Sequence, residues 1–478
     1  MSKIVTVGAV KEVCLLSVAM LLGVGACWGK PAVSLSPKSG PPTSKLLVSG
    51  SGFKPYAEID ISFDTKDEAK AVANGSGSFS KIAIHAPKSA LPGKHLVSAV
   101  QRVGKIGAQA PFLVNTNWSQ FGFASNGDRS NSYENELSPA TVGGLKLLWS
   151  YTTGGSVQSS PSVVNGVVYV GSNDNNLYAL RADTGAKLWS FPLNTGGIFH
   201  ASPAVANGVV YIGSSNDEPN DKLYALDGKT GAVLWTYFGD GASIYCSPAV
   251  ANGVVYFASG DGDLYALNAK TGALLWSFGI GFQVNKSPAV ANEVLYTGSL
   301  VNALFWAINA STGAPLWTFQ SGPSRDYAFN SSPAAANGAV YGASDDGNLY
   351  ALNASTGTLL WSYPSGPYSE PAVANDVVYA DGNGGVYALN ATTGALLWNS
   401  SLGVAPAVAD GVVYIVGSGG VYALNDTTGA LLWNYVTAST VETRPAVANG
   451  VVYVGSDDGK VYAFGLTSGT PRKGVSAK

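Results

Sequence analysis

The sequence predicts an all-β protein, an eight-bladed β-propeller of four-stranded antiparallel blades preceded by a small N-terminal β-sandwich. Three observations carry this. A module of about forty residues recurs eight times, each copy opening on a proline: Pro161, Pro203, Pro248, Pro288, Pro333, Pro371, Pro406 and Pro445. A closing tryptophan strand also recurs eight times, at Trp149, Trp189, Trp235, Trp276, Trp317, Trp361, Trp398 and Trp433. Charged residues make up only 12% of the chain, about half the usual share, while 59 glycines supply the turns that many short strands require.

Within a module the strands follow from turn chemistry. Residues 247–276 read SPAVANGVVYFASGDGDLYALNAKTGALLW. Asn252-Gly253 is the two-residue hairpin signal, since both positions take the positive φ that matches strand twist. Asp261-Gly262 and Thr271-Gly272 make two further turns, so three turns join four strands, and glycine and asparagine recur too often for a helical period to survive. One such sheet cannot bury both faces. Copies therefore stack as blades about an axis.

The proline and tryptophan series are out of phase by one. The strand ending GGLKLLW, Gly143 to Trp149, precedes the first module, and the last module, from Arg444 to about Phe464, has no tryptophan strand after it. If the first strand completes the last blade, the ring closes by hydrogen bonds between distant parts of the chain, and Leu145–Trp149 pairs with the strand around Val461–Phe464. The propeller then spans 143–466, with a flexible tail at 467–478.

Ahead of it, residues 30–115 alternate short apolar runs with turns, the pattern of a small antiparallel sandwich. This stretch resembles the Ig-like or TIG-type modules of envelope proteins in Pro37-Lys38-Ser39-Gly40 and Val48-Ser49-Gly50-Ser51-Gly52-Phe53. Residues 116–142, rich in serine, asparagine and glycine, read as a polar linker.

The first 26 residues read as a secretory signal: Lys3 and Lys11 precede the apolar run Val13–Ala26, which is too short to span a bilayer comfortably. Val24-Gly25-Ala26-Cys27 resembles the bacterial lipobox, in which the cysteine is lipidated; cleavage after Ala26 with Cys27 left free is the alternative. Either way the protein is expected to be exported, to the cell envelope or beyond. Besides Cys14 in the signal, only Cys246 remains, so a lipidated Cys27 leaves no internal disulfide. The net charge of -3 and pI near 5.7 offer no broad basic surface, which argues against nucleic acid as a partner. A monomer is expected.

The repeat resembles the PQQ-like (pyrroloquinoline quinone) β-propeller family, whose blades carry A-x-D/N-x-x-T-G-x-x-x-W. Here the motif reads Ala266-Leu267-Asn268-Ala269-Lys270-Thr271-Gly272-Ala273-Leu274-Leu275-Trp276, and nearly the same from Ala351, Ala388 and Ala423. The resemblance implies that the motif is structural, its tryptophan packed between blades and its Asn and Thr-Gly locking the corner. It also implies two classes of function. One is a non-catalytic scaffold like the BamB-type lipoproteins of outer-membrane barrel assembly, with envelope or outer-membrane proteins as partners and no cofactor. The other is a quinoprotein dehydrogenase oxidising an alcohol or sugar with PQQ and Ca²⁺ in the propeller funnel. The vicinal Cys-Cys that many of those enzymes carry is absent, so the scaffold is the preferred expectation.

Where the chain enters each innermost strand the copies differ: Gln158, His200, Tyr245, Lys286, Asn330, Glu370, Ala405 and Arg444. These are expected to ring one end of the channel. Lys286 and Arg444 suit an anionic ligand, and Glu370 with Asn330 suits Ca²⁺ if a quinone is held there. The bland alternative is that they pair with one another in a solvated funnel. His200 is the only histidine of the propeller, so no histidine metal cluster or catalytic triad is indicated. The Asp-rich turns at Asp345-Asp346-Gly347 and Asp457-Asp458-Gly459 lack EF-hand spacing and read as hairpin turns. Asn-Ala-Ser/Thr at Asn309, Asn353 and Asn390 matches a glycosylation pattern but falls inside the repeat. Two irregular segments, Ser215–Lys222 and Ser321–Asn330, break the repeat, and Arg325, Asp326 and Tyr327 are candidate contact residues.

Overall fold

A computed structural model of the chain describes residues 30–193, 201–214, 221–238, 243–281, 286–300, 303–322, 327–367 and 369–467. The expected signal peptide, Cys27, residues 215–220 and the tail from residue 468 lie outside them. The chain divides into two compact units, one of Met1–Ser36, Leu47–Ala83 and Val97–Ala110, the other of Pro37–Leu46, Ile84–Leu96 and Pro111–Lys478.

In the first unit, Glu58–Phe63 pairs antiparallel with Lys66–Val72 on one side and, from Ile59 to Phe63, with Val97–Gln101 on the other. The alternation read in the sequence is realised there: Ile59, Ile61 and Phe63 are buried and the residues between them are not. Phe53 and Phe79 pack at 5.7 Å between ring centroids, and Arg102 bonds Asp60 and Glu58 on the surface.

The second unit holds eight blades. The third is typical, with strands Ala249–Ala251, Val254–Ala258, Asp263–Asn268 and Leu274–Gly279 hydrogen-bonded in chain order. Asn252 and Gly253 take φ of 49° and 79°, as the hairpin requires. The first strands touch one another from blade to blade, the eighth touching the first, and so line the axis. Most of them are three residues of Ala and Val, because only short, small side chains fit where eight sheets converge.

The ring closes as the out-of-phase count predicts. Leu145–Thr152 pairs antiparallel with Lys460–Leu466, Leu147 opposite Phe464 and Trp149 opposite Ala463, and completes the sheet begun at Ala446. The tryptophans fasten the blades together. Each indole N–H donates to a carbonyl at the outer corner of the next blade: Trp149 to Ala182 at 2.9 Å, Trp276 to Ala310 at 3.0 Å, and so on to Trp433, which bonds Leu145 at 3.1 Å. The Thr-Gly glycine lies under the preceding indole. A Cβ on Gly313 would stand 2.8 Å from ring carbons of Trp276, so that corner requires glycine.

In seven blades a second-strand tyrosine, such as Tyr169 or Tyr256, shares the carbonyl taken by its own blade's tryptophan. In the seventh, Tyr414 is fully buried and its hydroxyl has no partner among the described residues. The Asp-rich turns are hairpin turns: Asp346 accepts from the Asn348 N–H and the Tyr350 hydroxyl, and Asp458 from Lys460 N–H and Tyr462. Burial and the neighbouring carboxylate push both phenols up.

Candidate functional site

An innermost strand pairs with its own blade on one side only, so its other edge offers unpaired N–H and C=O groups to the axis. The segment expected as a linker supplies the partners. Trp118 exchanges both backbone hydrogen bonds with Val163 of the first blade, at 2.8 and 2.6 Å. The carbonyl of Ser119 accepts from Val205, and the side-chain amide of Gln120 bonds both backbone groups of Val250. Ser125 does the same for Val290 and Asn126 for Ala335, each combining its carbonyl with its side chain. Asp128 and Arg129 accept from Val373 and Val408, and the Asn131 amide donates to the Val447 carbonyl at 2.7 Å. Residues 118–131 thus visit the mid-strand residue of all eight blades in order.

Residues 118–131 form a plug, seated where Thr116 and Asn449 bond each other reciprocally and Glu134 accepts from Thr116 and Gly450. Trp118 is among the largest fully buried side chains. Two glycines let the loop fold: Gly127 has φ of 70°, and a Cβ there would stand 2.4 Å from the Pro333 carbonyl, while one on Gly122 would stand 2.5 Å from Gly127 Cα.

The innermost charged residues meet beside the plug. The buried Arg129 guanidinium donates to Glu370 Oε2 at 2.6 Å and to the Pro371 carbonyl at 3.1 Å. Arg444 reaches the same Oε2 at 2.5 Å, and both guanidiniums lie over the Phe121 ring, at 5.0 and 4.8 Å. Burial pushes the Glu370 carboxyl up, but Arg444, Arg129 and Lys286 outweigh it and hold it below the ordinary range. Burial lowers Arg129 to about 10.

Of the residues expected to share one ring position, Glu370, Ala405 and Arg444 share it and the others described do not. The residue immediately before each proline is Ser160, Ser202, Ser247, Ser287, Ser332, Glu370, Ala405 or Arg444. The serines form a chain in which each backbone N–H donates to the next blade's hydroxyl, Ser160 to Ser202 at 2.9 Å and onward to Ser332, while Arg444 N–H donates to Ser160. Where serine is missing, the Asp381 carboxylate takes over and accepts from the N–H groups of Glu370 and Ala405. Gln158, Tyr245, Lys286 and Asn330 stand further upstream. Gln158 bonds Glu442 and Asn173, and Asn330 and Lys286 act on Asp345, whose carboxyl burial raises. Tyr245 is half-buried and engaged. His200, Arg325 and Asp326 lie outside the described residues, and Tyr327 is 38% exposed. Cys246 is buried against the Ala258 carbonyl, and burial raises its thiol to about 12, so it is an inert packing residue.

Asp128 gives this site a pH signature. Burial raises its carboxyl to about 6 against the bonds from Asn126 and Ser130 that lower it. Its folded value lies above the unfolded one, so the native state binds the proton more tightly, and stability rises as pH falls from above 6 toward 4. The unfolding midpoint is expected to climb over that window, and Asp128→Asn to flatten the climb.

Comparison with known proteins agrees with the fold. The family model for outer membrane protein assembly factor BamB matches residues 130–244, 239–381, 306–402 and 382–472, well over half of the chain. The chain belongs to this PQQ-repeat propeller family. The quinone alcohol dehydrogenase subunit of Gluconobacter oxydans is 27% identical over 128 residues, which are 25% of this chain and 17% of that relative. The chain thus matches about a sixth of the length of that relative. Quinohemoprotein alcohol dehydrogenase from Pseudomonas putida HK5 is similar in structure, with a TM-score of 0.64 at 18% identity over 76% of this chain and 82% of that one. BamB from Moraxella catarrhalis has a TM-score of 0.57 at 20% identity, over 68% of this chain and 99% of its own. At these identities the likeness is one of fold, and the propeller hosts both an assembly factor and dehydrogenases.

The described residues at the axial ring do not offer the oxygen set that a calcium ion beside a quinone would need. The glutamate at the axial ring is committed to two guanidiniums, both of which lie over the Phe121 ring. Among the described residues no three of His, Cys, Asp or Glu come together to hold a metal ion. The cavity left beside the plug measures about 20 Å³, room for a water or two.

Proposed function

We propose that this propeller is a non-enzymatic scaffold of the cell envelope that binds proteins or peptides through its loops and outer surface, in the manner of the assembly factor whose family it shares. The plug carries this reading: the axis is laced shut by the chain's own residues 118–131. Export by the N-terminal signal, anchorage through a lipid on Cys27 and an Ig-like module at 30–115 belong to the same proposal, with outer-membrane or other envelope proteins as partners. Cys27→Ser is expected to move the protein from the membrane to the soluble fraction.

The competing reading, an alcohol or sugar dehydrogenase, draws on the sequence match to the quinone alcohol dehydrogenase subunit. Titrating the purified protein with PQQ and Ca²⁺ separates the two. No stoichiometric quinone absorbance and no dye reduction with alcohols or sugars is the expected result. A bound quinone that supports turnover would overturn the scaffold.

A further inference from the structure

We propose that the cavity between the plug and the serine chain is a binding site for a monoatomic anion of chloride size. It is lined on the blade side by Ser247, Ser287, Ser332 and their following prolines, and on the plug side by Gly122, Gly127 and Arg129. No carboxylate lines it. The serine hydroxyls are polarised in one direction. Each Oγ accepts the N–H of the preceding blade's serine, at 2.8 Å for Ser247, 2.9 Å for Ser287 and 3.2 Å for Ser332. A hydroxyl whose oxygen accepts in this way still has a proton to donate. Proline has no N–H to compete for the position.

Arg129 supplies the second, independent observation. Its side chain is 1% exposed, and its two terminal nitrogens are satisfied by Glu370 and Pro371, but its Nε is buried with no partner. Arg129 lines the cavity, and an orphaned, buried guanidinium N–H is a costly group that an acceptor within its reach would satisfy. Charge leans the same way: three cations, Arg129, Arg444 and Lys286, are set against the two carboxylates of Glu370 and Asp381. A water would fill the space, yet it would bring two protons of its own into a wall already rich in donors. A spherical anion accepts from every direction and brings none. The volume of about 20 Å³ suits one such ion better than a polyatomic anion.

The test uses the full-length protein dialysed free of halide and scanned for thermal unfolding in sodium gluconate, with sodium chloride or bromide titrated in at constant ionic strength. A saturable rise in the unfolding midpoint with chloride and bromide is expected, because a ligand bound only to the native state stabilises by mass action. Ser287→Ala, checked for an unchanged circular dichroism spectrum, is expected to lose the halide-dependent part of that rise. If it does not fold, an anomalous scattering map of bromide-soaked wild-type crystals replaces it, with a peak among Ser247, Ser287, Ser332 and Arg129. Equal midpoints in gluconate and chloride, a halide effect undiminished in Ser287→Ala, or no anomalous peak at the axis would each overturn the site.

Discussion

Glu370→Ala is expected to destabilise the propeller by about 3–5 kcal/mol, the cost of removing one partner from a buried ion pair. The carboxylate stands between Arg129 and Arg444, with side-chain exposures of 6%, 1% and 20% respectively. Without it two guanidiniums face the same Phe121 ring with no counter-charge in contact. The loss is read by denaturant unfolding at pH 7. Glu370→Gln, which keeps the shape and one acceptor, should cost less, and Glu370→Met with Arg129→Met should recover part of the loss, because an apolar pair leaves only Arg444 to find solvent. The folded-state pKa of Glu370 is depressed, so its contribution is present above the unfolded value and is lost as pH falls through the folded one. That loss runs opposite in sign to the gain from Asp128 and extends to lower pH, so the two can be told apart in one titration. A cost below about 1 kcal/mol for Glu370→Ala, the range of an exposed pair, would show that the cluster is solvated.

The same cluster shows what a sequence of this kind makes legible. Blade number, strand order and ring closure were readable because each is stated many times over: a proline, a hairpin turn and a tryptophan per module, with the two series offset by one. The plug was not, because each of its residues does its work once. Trp118, Gln120, Asn126 and Arg129 serve different blades through a mixture of backbone and side-chain groups, so no period results, and a stretch of serine, asparagine and glycine reads as linker composition. The signal for it is that eight inner edges facing an axis must find hydrogen-bond partners somewhere. The axial ring failed differently. Gln158, Tyr245 and Asn330 are distinctive residues near their prolines, while the position that links the blades is held mostly by plain serine. Asp381 replaces two of those serines from eleven residues beyond Glu370, a distance that no local pattern spans.

Trp149→Ala is expected to cost about 3–5 kcal/mol, as truncation of a buried tryptophan does, and to speed unfolding more than the same change at Trp276. Both indoles donate to the next blade's corner carbonyl, at 2.9 and 3.0 Å, and both lie against a second-strand tyrosine, Tyr453 or Tyr256, at 6.0 Å. Their bonding partners match, though Trp149 is buried and Trp276 only partly so, and their places in the chain differ more. The strand of Trp276 is joined by short turns to the rest of its blade, so a loosened contact there still has its neighbours held at high effective concentration. The strand of Trp149 meets its sheet only by pairing with Lys460–Leu466, more than 300 residues away, and the closing loop is the whole propeller. Pairing of that kind has no covalent return, so opening at this seam exposes the edge of the eighth blade and frees Trp433, whose indole bonds the Leu145 carbonyl on the same strand. Denaturant-jump kinetics on the two variants decide the matter. A larger increase in unfolding rate for Trp149→Ala places the first opening at the closure, whereas equal rates would mean that the ring opens elsewhere and that the plug, bonded to all eight inner strands, holds the seam as firmly as a turn would.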